Sequence, residues 1–323
     1  MTARSVLVKV PATVGNFAGA MNCAALALDA MLNVKVTPRA DGHVGIRYFG
    51  ENGDRVPRDR ANLAVRAMEA ALHLKGYEFS GADFEIYSSV PVGLGLGSST
   101  AAVLAGLMAA DRLYSLRFDE KTLFDLAHIY ETRSDNLLAA WHGGFVACAD
   151  EPSSAVRRTH VHGDFLLSVI APEGPIAPAS IAGKSQKRGM QPGVDPSVHL
   201  RRAQTVAEFL MQPAKSPALD FNSSLPPTCR KIVAGLEESL KVCTDGALSV
   251  FVCGSGPAVG ILTQQNPENA IEAVRRRFRD FGVSSTFGTF RPANLGARDW
   301  NAVRSHISLP SVRPFQTPAG SAA

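Results

Sequence analysis

Residues 91–102 read Pro91-Val-Gly-Leu-Gly-Leu-Gly-Ser-Ser-Thr-Ala-Ala102, and this stretch decides how the rest of the chain is read. The alternating apolar segment Phe84–Val90 predicts a strand leading into it, and the Ala, Val, Leu and Met residues after Ser99 predict a helix leading out. Glycines at 93, 95 and 97 allow positive φ and let backbone amides approach a ligand closely. A serine at the helix start is expected to serve as its N-cap, and the helix end carries free N–H groups and partial positive charge. Strand, glycine turn and helix N-terminus together make a phosphate cradle. A Walker A loop is excluded because Gly97-Ser98-Ser99 contains no lysine. A dinucleotide fingerprint is excluded because the glycines follow GxGxG spacing, not GxGxxG.

Outward from this turn, period-2 patterning predicts strands at Val6–Val10, Val44–Phe49, Phe165–Ile170 and Leu248–Val252. The first two are expected to pair as a hairpin. Helical patterning follows Asn62 (Leu63, Ala67, Met68, Ala71, Leu72) up to Gly76, and recurs across Leu123–Tyr130 and Pro267–Phe281. Pro267 suits the first turn of that last helix and Gly282 its C-terminal end. Strands and helices alternate irregularly, which predicts an α+β fold and not a regular βαβ winding. The stretch Asp150–Ser154 reads as a junction between an N-terminal domain, 1–151, and a C-terminal domain, 152–309. Residues Glu173–Pro196 read as a long binding loop, and 310–323 as a flexible tail.

Composition narrows the function classes. With 46% hydrophobic and 19% charged residues in 323, long disordered stretches are not expected outside the termini. Lys plus Arg (33) exceeds Asp plus Glu (29) by only 4, which argues against a dedicated nucleic-acid binder and suits attraction of small anions. Five cysteines without a CxxC pair read as reduced thiols, and no segment reaches about 18 consecutive apolar residues. The N-terminal residues lack a continuous apolar signal core, so a cytoplasmic location is expected. The run Val274-Arg-Arg-Arg-Phe-Arg279 reads as the solvated side of a helix that buries Ile271, Val274, Phe278 and Phe281. His160 and His162 lack a third ligand nearby and read as a surface pair.

Residues 91–102 resemble the central ATP-binding motif of the GHMP kinases. Two flanking motifs of that family have counterparts. Pro11-Ala-Thr-Val-Gly-Asn-Phe-Ala-Gly-Ala-Met-Asn-Cys23 resembles the homoserine-kinase form of the first motif, and Val252-Cys-Gly-Ser-Gly-Pro-Ala-Val259 resembles the third, a loop closing on the nucleotide. Glu131-Thr-Arg-Ser-Asp-Asn-Leu-Leu-Ala-Ala-Trp-His-Gly-Gly144 is similar to the Glu-Gly-x-x-Asp-Asn…Gly-Gly segment of homoserine kinases. The resemblance implies two α+β halves with the active site between them, and ATP-dependent phosphorylation of the L-homoserine hydroxyl, on the route to threonine. A homodimer would be unsurprising in this family.

The resemblance also implies roles for single residues. ATP is expected at Asn62, which would face the adenine, and at Pro91, Gly93, Gly95, Leu96, Gly97, Ser98 and Ser99. Mg²⁺ is expected at Ser98 and Glu131, with Ser99 as the alternative hydroxyl; hard oxygen donors suit that ion. Asn16 and Asn136 are expected beside the reacting groups, with Asn136 also facing the acceptor. Asp135 is either a general base, a role typically worth about 10²–10⁴-fold, or a residue that only orients the loop. Arg188 and Arg230 are expected to hold a substrate carboxylate, joined by Lys184, Asn22, Gly254 and Gly256.

The sequence departs from the homoserine-kinase pattern at three places. An aspartate that ends the first motif is here Asn22, the motif's Ser-Ala-Asn is Val14-Gly15-Asn16, and a Ser-Thr pair ahead of the substrate arginine is replaced by Gly183-Lys184-Ser185. All three fall in or beside the acceptor pocket. They motivate two rival readings: a kinase of the same family for another small hydroxy acid or amino alcohol, and a catalytically silent relative that binds nucleotide or metabolite. An RNA-binding reading based on the arginine-rich helix ranks last.

Overall fold

The computed structural model describes residues 5–20, 23–148, 156–173, 196–212, 233–254, 256–302 and 315. Among them the chain forms two sheets flanked by helices, a mixed α+β arrangement. The first sheet is built on β2 (Ala24–Pro38), fifteen residues long, which pairs antiparallel along its length with β1 (Val6–Gly15). On the other edge of β2 lie β4 (Ala82–Ser88) and the short β5 (Phe145–Ala147), both antiparallel to it. β3 (Val44–Phe49) runs parallel to β4, and β6 (Arg157–Thr159) closes the far end against β5.

The expected hairpin between Val6–Val10 and Val44–Phe49 does not form. β1 pairs with β2, and β4 separates β3 from β2. The helix α1 (Leu63–Leu74) lies between the parallel strands β3 and β4 in sequence, as a parallel pair requires a crossover. Its start follows from Asn62, whose Oδ1 accepts the Ala64 N–H at 3.0 Å. α2 (Ser98–Tyr114) buries Thr100, Ala101, Val103, Leu104, Ala105 and Leu107 against α1 and the first sheet. α3 (Glu120–Ala127) and α4 (Ser134–His142) complete that layer, with α4 against β1 and β2.

The second sheet is antiparallel throughout, in the order β10 (Ser284–Phe290), β7 (Leu166–Glu173), β9 (Val259–Thr263), β8 (Ala247–Val252). Alternation divides its side chains between two cores. Leu167, Val169, Phe251 and Leu262 join the main core shared with the first sheet, whereas Ile170, Val250, Val252, Val259 and Ile261 pack with Ala270, Ile271, Val274 and Phe278 on the outside. α5 (Pro196–Met211) contributes Ala203, Val206, Phe209 and Leu210 to the main core. α6 (Leu236–Ser239) and α7 (Glu268–Asp280) cover the outer face, and α8 (Ala297–Ala302) returns to β1 and α4.

The junction expected at 151/152 falls outside the described residues, and the first sheet extends past it to Arg157–Thr159. Within the expected tail, Phe315 is buried against Phe290, and its N–H donates to Glu51 Oε1. An apolar anchor therefore holds one residue of a segment whose composition reads as frayed. Phe281 is exposed, because α7 ends at Asp280 and Phe281 is its C-cap; Val274 and Phe278 are buried as expected. The α7 arginines meet acids: Arg277 lies 3.6 Å from Asp280 and Arg275 3.7 Å from Glu272. No helix among the described residues is long and apolar enough to cross a membrane.

Candidate active site

The glycine turn lies between β4 and α2, with Gly93, Gly95 and Gly97 at φ 82°, 77° and 71°. At Gly95 the glycine is obligatory, since a Cβ there would lie 2.2 Å from the Cys253 carbonyl oxygen. This close approach joins the turn to the loop between β8 and β9. A second strap ties the same loop to the end of β1: the Gly254 N–H donates to Gly15 O at 3.1 Å, and Asn16 Nδ2 donates to Gly254 O at 3.3 Å. Thr13 N–H donates to Leu96 O at 3.1 Å and fastens β1 to the glycine turn. The three motifs, far apart in sequence, thus share one backbone junction. The N-cap of α2 is Gly97, not a serine, and it makes no side-chain cap bond; Ser98 is the first helical residue. The following hydroxyls turn instead to Glu131.

Glu131 is buried beneath the α2 N-terminus. Its Oε2 accepts from Ser99 Oγ at 3.1 Å and Thr100 Oγ1 at 2.6 Å, and its Oε1 accepts the Arg133 N–H at 3.1 Å. The structure therefore brings Glu131 to Ser99 and Thr100, while Ser98 lines the cavity beside them. Four residues on, Asp135 is fully enclosed. Its Oδ1 accepts from Asn136 N–H at 2.8 Å and Arg133 Nε at 3.3 Å, and its Oδ2 from Asn16 N–H at 3.1 Å and Arg133 Nη2 at 3.0 Å. Those four bonds match the acceptor capacity of a carboxylate. Burial opposes the charge of the Arg133 guanidinium, and the Asp135 carboxylate beside it outweighs burial and holds its pKa above the ordinary value.

Two cavities meet at Ser98 and Ser99. One, of about 210 Å³, is polar and is lined by the three turn glycines, Ser98, Ser99, Glu131, Thr132, Arg133, Asn136 and Gly256. Asn136 lines this chamber, and its Oδ1 is buried without a hydrogen-bond partner. The other, of about 160 Å³, is apolar, with Leu32, Val34, Val56, Pro57, Leu63, Ile86 and Ala102 in its walls and Arg55 at its rim. Asn62 also lines it, but both ends of its amide are engaged: Oδ1 caps α1 and Nδ2 donates to Pro57 O at 3.0 Å. Pro91 and Leu96 are buried and shape the turn from below.

Four expected substrate residues, Asn22, Lys184, Arg188 and Arg230, lie outside the described residues, as does Ser255 of the third motif. Sequence reasoning assigned no role to Thr100, Thr13, Arg55 or Arg133. Thr100 was detectable as the third member of a hydroxyl triplet, and Arg133 lies inside the Glu131–Asn136 segment. Nothing in the sequence marks Arg55, which approaches Gly93 only through the fold.

An apolar slot opening at a helix N-terminus onto a polar, glycine-walled chamber with one reachable carboxylate suits transfer of a phosphoryl group from a nucleotide to a small molecule. Residues 62–144 match the family model for the N-terminal domain of GHMP kinases. Homoserine kinase of Streptomyces coelicolor is 30% identical over 284 residues, covering 84% of this chain and 89% of that protein. Homoserine kinase of Aquifex aeolicus is 26% identical over 297 residues, covering 91% and 99%. Among solved structures, homoserine kinase from Cytophaga hutchinsonii matches with a TM-score of 0.71 at 22% identity, over 90% of this chain and 96% of that one. L. major mevalonate kinase in complex with R-mevalonate matches with a TM-score of 0.59 at 16% identity, over 90% and 97%. The chain belongs to the GHMP kinases, a family of ATP-dependent phosphotransferases.

Proposed function

We propose that the chain phosphorylates the side-chain hydroxyl of L-homoserine with ATP, giving O-phospho-L-homoserine and ADP in threonine biosynthesis. The observation that carries this reading is the buried, unpartnered Oδ1 of Asn136 beside the chamber that also holds Glu131 and the glycine turn. A buried acceptor without a donor is costly, and a substrate hydroxyl supplies that donor. The homoserine kinases among the relatives, and the similarity of residues 131–144 to their acceptor segment, support the choice of amino alcohol.

In this reading the adenine occupies the apolar slot, and the triphosphate crosses Ser98 and Ser99 into the polar chamber. Backbone amides of Gly93–Gly97 and the α2 N-terminus receive the phosphates. The donor set around Glu131, a carboxylate with hydroxyl oxygens beside it, fits Mg²⁺ held largely by phosphates and water. Glu131 would hold that ion with the Ser98 or Ser99 hydroxyl, and the ion supplies neutralisation of phosphate charge. Asn136 holds the acceptor oxygen in line, while Asn16 keeps the β1 end closed on the third loop. Asp135, with four donors already upon it, orients this loop and does not act as the base. Asn22, Lys184, Arg188 and Arg230, with the Gly254 and Gly256 backbone, complete the acceptor pocket and meet the substrate carboxylate. The two halves, the first extended through β6 (Arg157–Thr159), then act as two domains with the site between them.

The test is initial ADP release from Mg-ATP with L-homoserine, L-threonine, L-serine, mevalonate and galactose. A preference for homoserine of at least about tenfold, abolished in Glu131→Ala, is the expected result. Preference for another acceptor would overturn the substrate assignment.

A further inference from the structure

We propose that Arg133 is the cation that meets the γ-phosphoryl group in this site, with Asp135 as its positioning residue. The proposal rests on the reading of the polar chamber as a phosphoryl-transfer site. Among the described residues lining that chamber, Arg133 carries the single positive charge. It is held tightly: the side chain is 13% exposed and forks onto Asp135 through Nε and Nη2. Two of its five N–H groups are thereby engaged, which leaves three for a ligand in a fixed plane. The backbone beside the pair, at Gly15, is equally constrained. A Cβ at Gly15 would stand 2.0 Å from Arg133 Nη2 and 2.6 Å from Asn136 Oδ1, so the guanidinium and the acceptor-facing amide share the space a side chain would fill.

This geometry gives the Asp135–Arg133 pair a division of labour. Asp135 is anchored on the N–H groups of Asn16 and of Asn136, which lines the chamber. It therefore fixes the guanidinium relative to the position where Asn136 would hold the acceptor oxygen. As that oxygen bonds to Pγ, the bond from Pγ to the bridging oxygen breaks and its electron pair leaves on ADP. The hydroxyl proton passes to a phosphoryl oxygen and from there to water. Negative charge on the equatorial oxygens is what a planar guanidinium stabilises.

The test compares wild type, Arg133→Lys, Arg133→Ala and Asp135→Asn. Affinities for ATP and for ADP are measured by calorimetry with Mg²⁺ and without acceptor, and turnover is measured with acceptor. Wild type is expected to bind ATP more tightly than ADP. Arg133→Ala is expected to remove that preference, leave ADP affinity within about threefold, and lower kcat by about 10²–10³-fold. Added guanidinium ion should restore part of kcat in Arg133→Ala but not in Glu131→Ala, a rescue that a purely structural arginine would not show. Arg133→Lys should fall between the two, and Asp135→Asn should weaken the ATP preference while leaving the charge in place. An ATP preference unchanged in Arg133→Ala, with a raised KM for the acceptor instead, would overturn the proposal and make Arg133 a substrate-carboxylate ligand. Absence of acceptor-dependent ADP release in wild type would overturn the phosphotransfer reading, while the ATP-to-ADP ratio would still decide which anion Arg133 meets.

Discussion

The two cavities that meet at Ser98 and Ser99 are built in opposite ways. The polar chamber draws almost every lining residue from three short runs, 93–99, 131–136 and the third-motif loop. The apolar slot draws instead on β2, β3, β4, α1, α2, Val92 and the loop before α1, with runs of three only at 55–57 and 62–64 and the rest of its walls supplied by residues scattered along the chain. Phosphate and metal recognition needs backbone amides, hydroxyls and a carboxylate at fixed mutual positions, and a contiguous turn supplies them. An adenine-sized slot needs only apolar walls of the right spacing, which many combinations of side chains provide. Changes in the chamber should therefore act on the chemical step, and changes in the slot on nucleotide affinity.

The largest effect is expected at the carboxylate that lines the chamber. Glu131→Ala should lower kcat by about 10³-fold in assays at saturating Mg-ATP, while metal-free ADP affinity, followed by calorimetry, stays near wild type. Next comes Gly95→Ala, where the backbone is left-handed and the Cys253 carbonyl leaves no room for a methyl group. A denaturant titration should show a loss of about 2 kcal/mol, and kcat/KM should fall by about 10²-fold as the third loop is pushed from the turn. In the slot, Ala102→Leu adds bulk on α2 where a base would lie, without harming helix propensity. The KM for ATP should rise about tenfold with kcat held within about twofold. A fall in kcat instead would mean that slot and chamber are not separable in this way.

The smallest effect sharpens the same division. Asn62→Ala removes the α1 cap and should cost about 1 kcal/mol in thermal or chemical unfolding. Because both ends of the amide are already bonded, the KM for ATP should change by less than about threefold. A much larger rise would return Asn62 to the adenine contact that the family resemblance implies.

The unequal construction also explains what the sequence disclosed. The chamber was legible because its residues are neighbours in the chain: Gly93 to Ser99 announced a phosphate cradle, and Glu131 and Asn136 lay in one recognisable segment. The partnering within it was not. Serine was expected to cap α2, whereas Gly97 does so and the hydroxyls of Ser99 and Thr100 reach Glu131 across 31 or more residues. β2 escaped notice because it is central, with Ala24–Leu28 buried on both faces, and a strand covered on both sides loses the period-2 signal. Without β2 the hairpin between β1 and β3 looked natural. The arginine-rich α7 is amphipathic as its periodicity predicts, with two departures: Phe281 lies beyond the helix end, which periodicity does not mark, and Arg275 is largely buried against the Phe287 ring. The slot had no signature, since its walls are assembled only when β2, β3 and β4 pair.

The most direct measurement is ³¹P NMR of the protein with Mg-ATP and L-homoserine. A phosphomonoester resonance should grow as the γ-phosphate signal declines, in equal amount with ADP, and should be absent when homoserine is omitted. ADP accompanied only by inorganic phosphate, or a monoester that forms with a different acceptor and not with homoserine, would contradict the assignment of the chamber to this transfer.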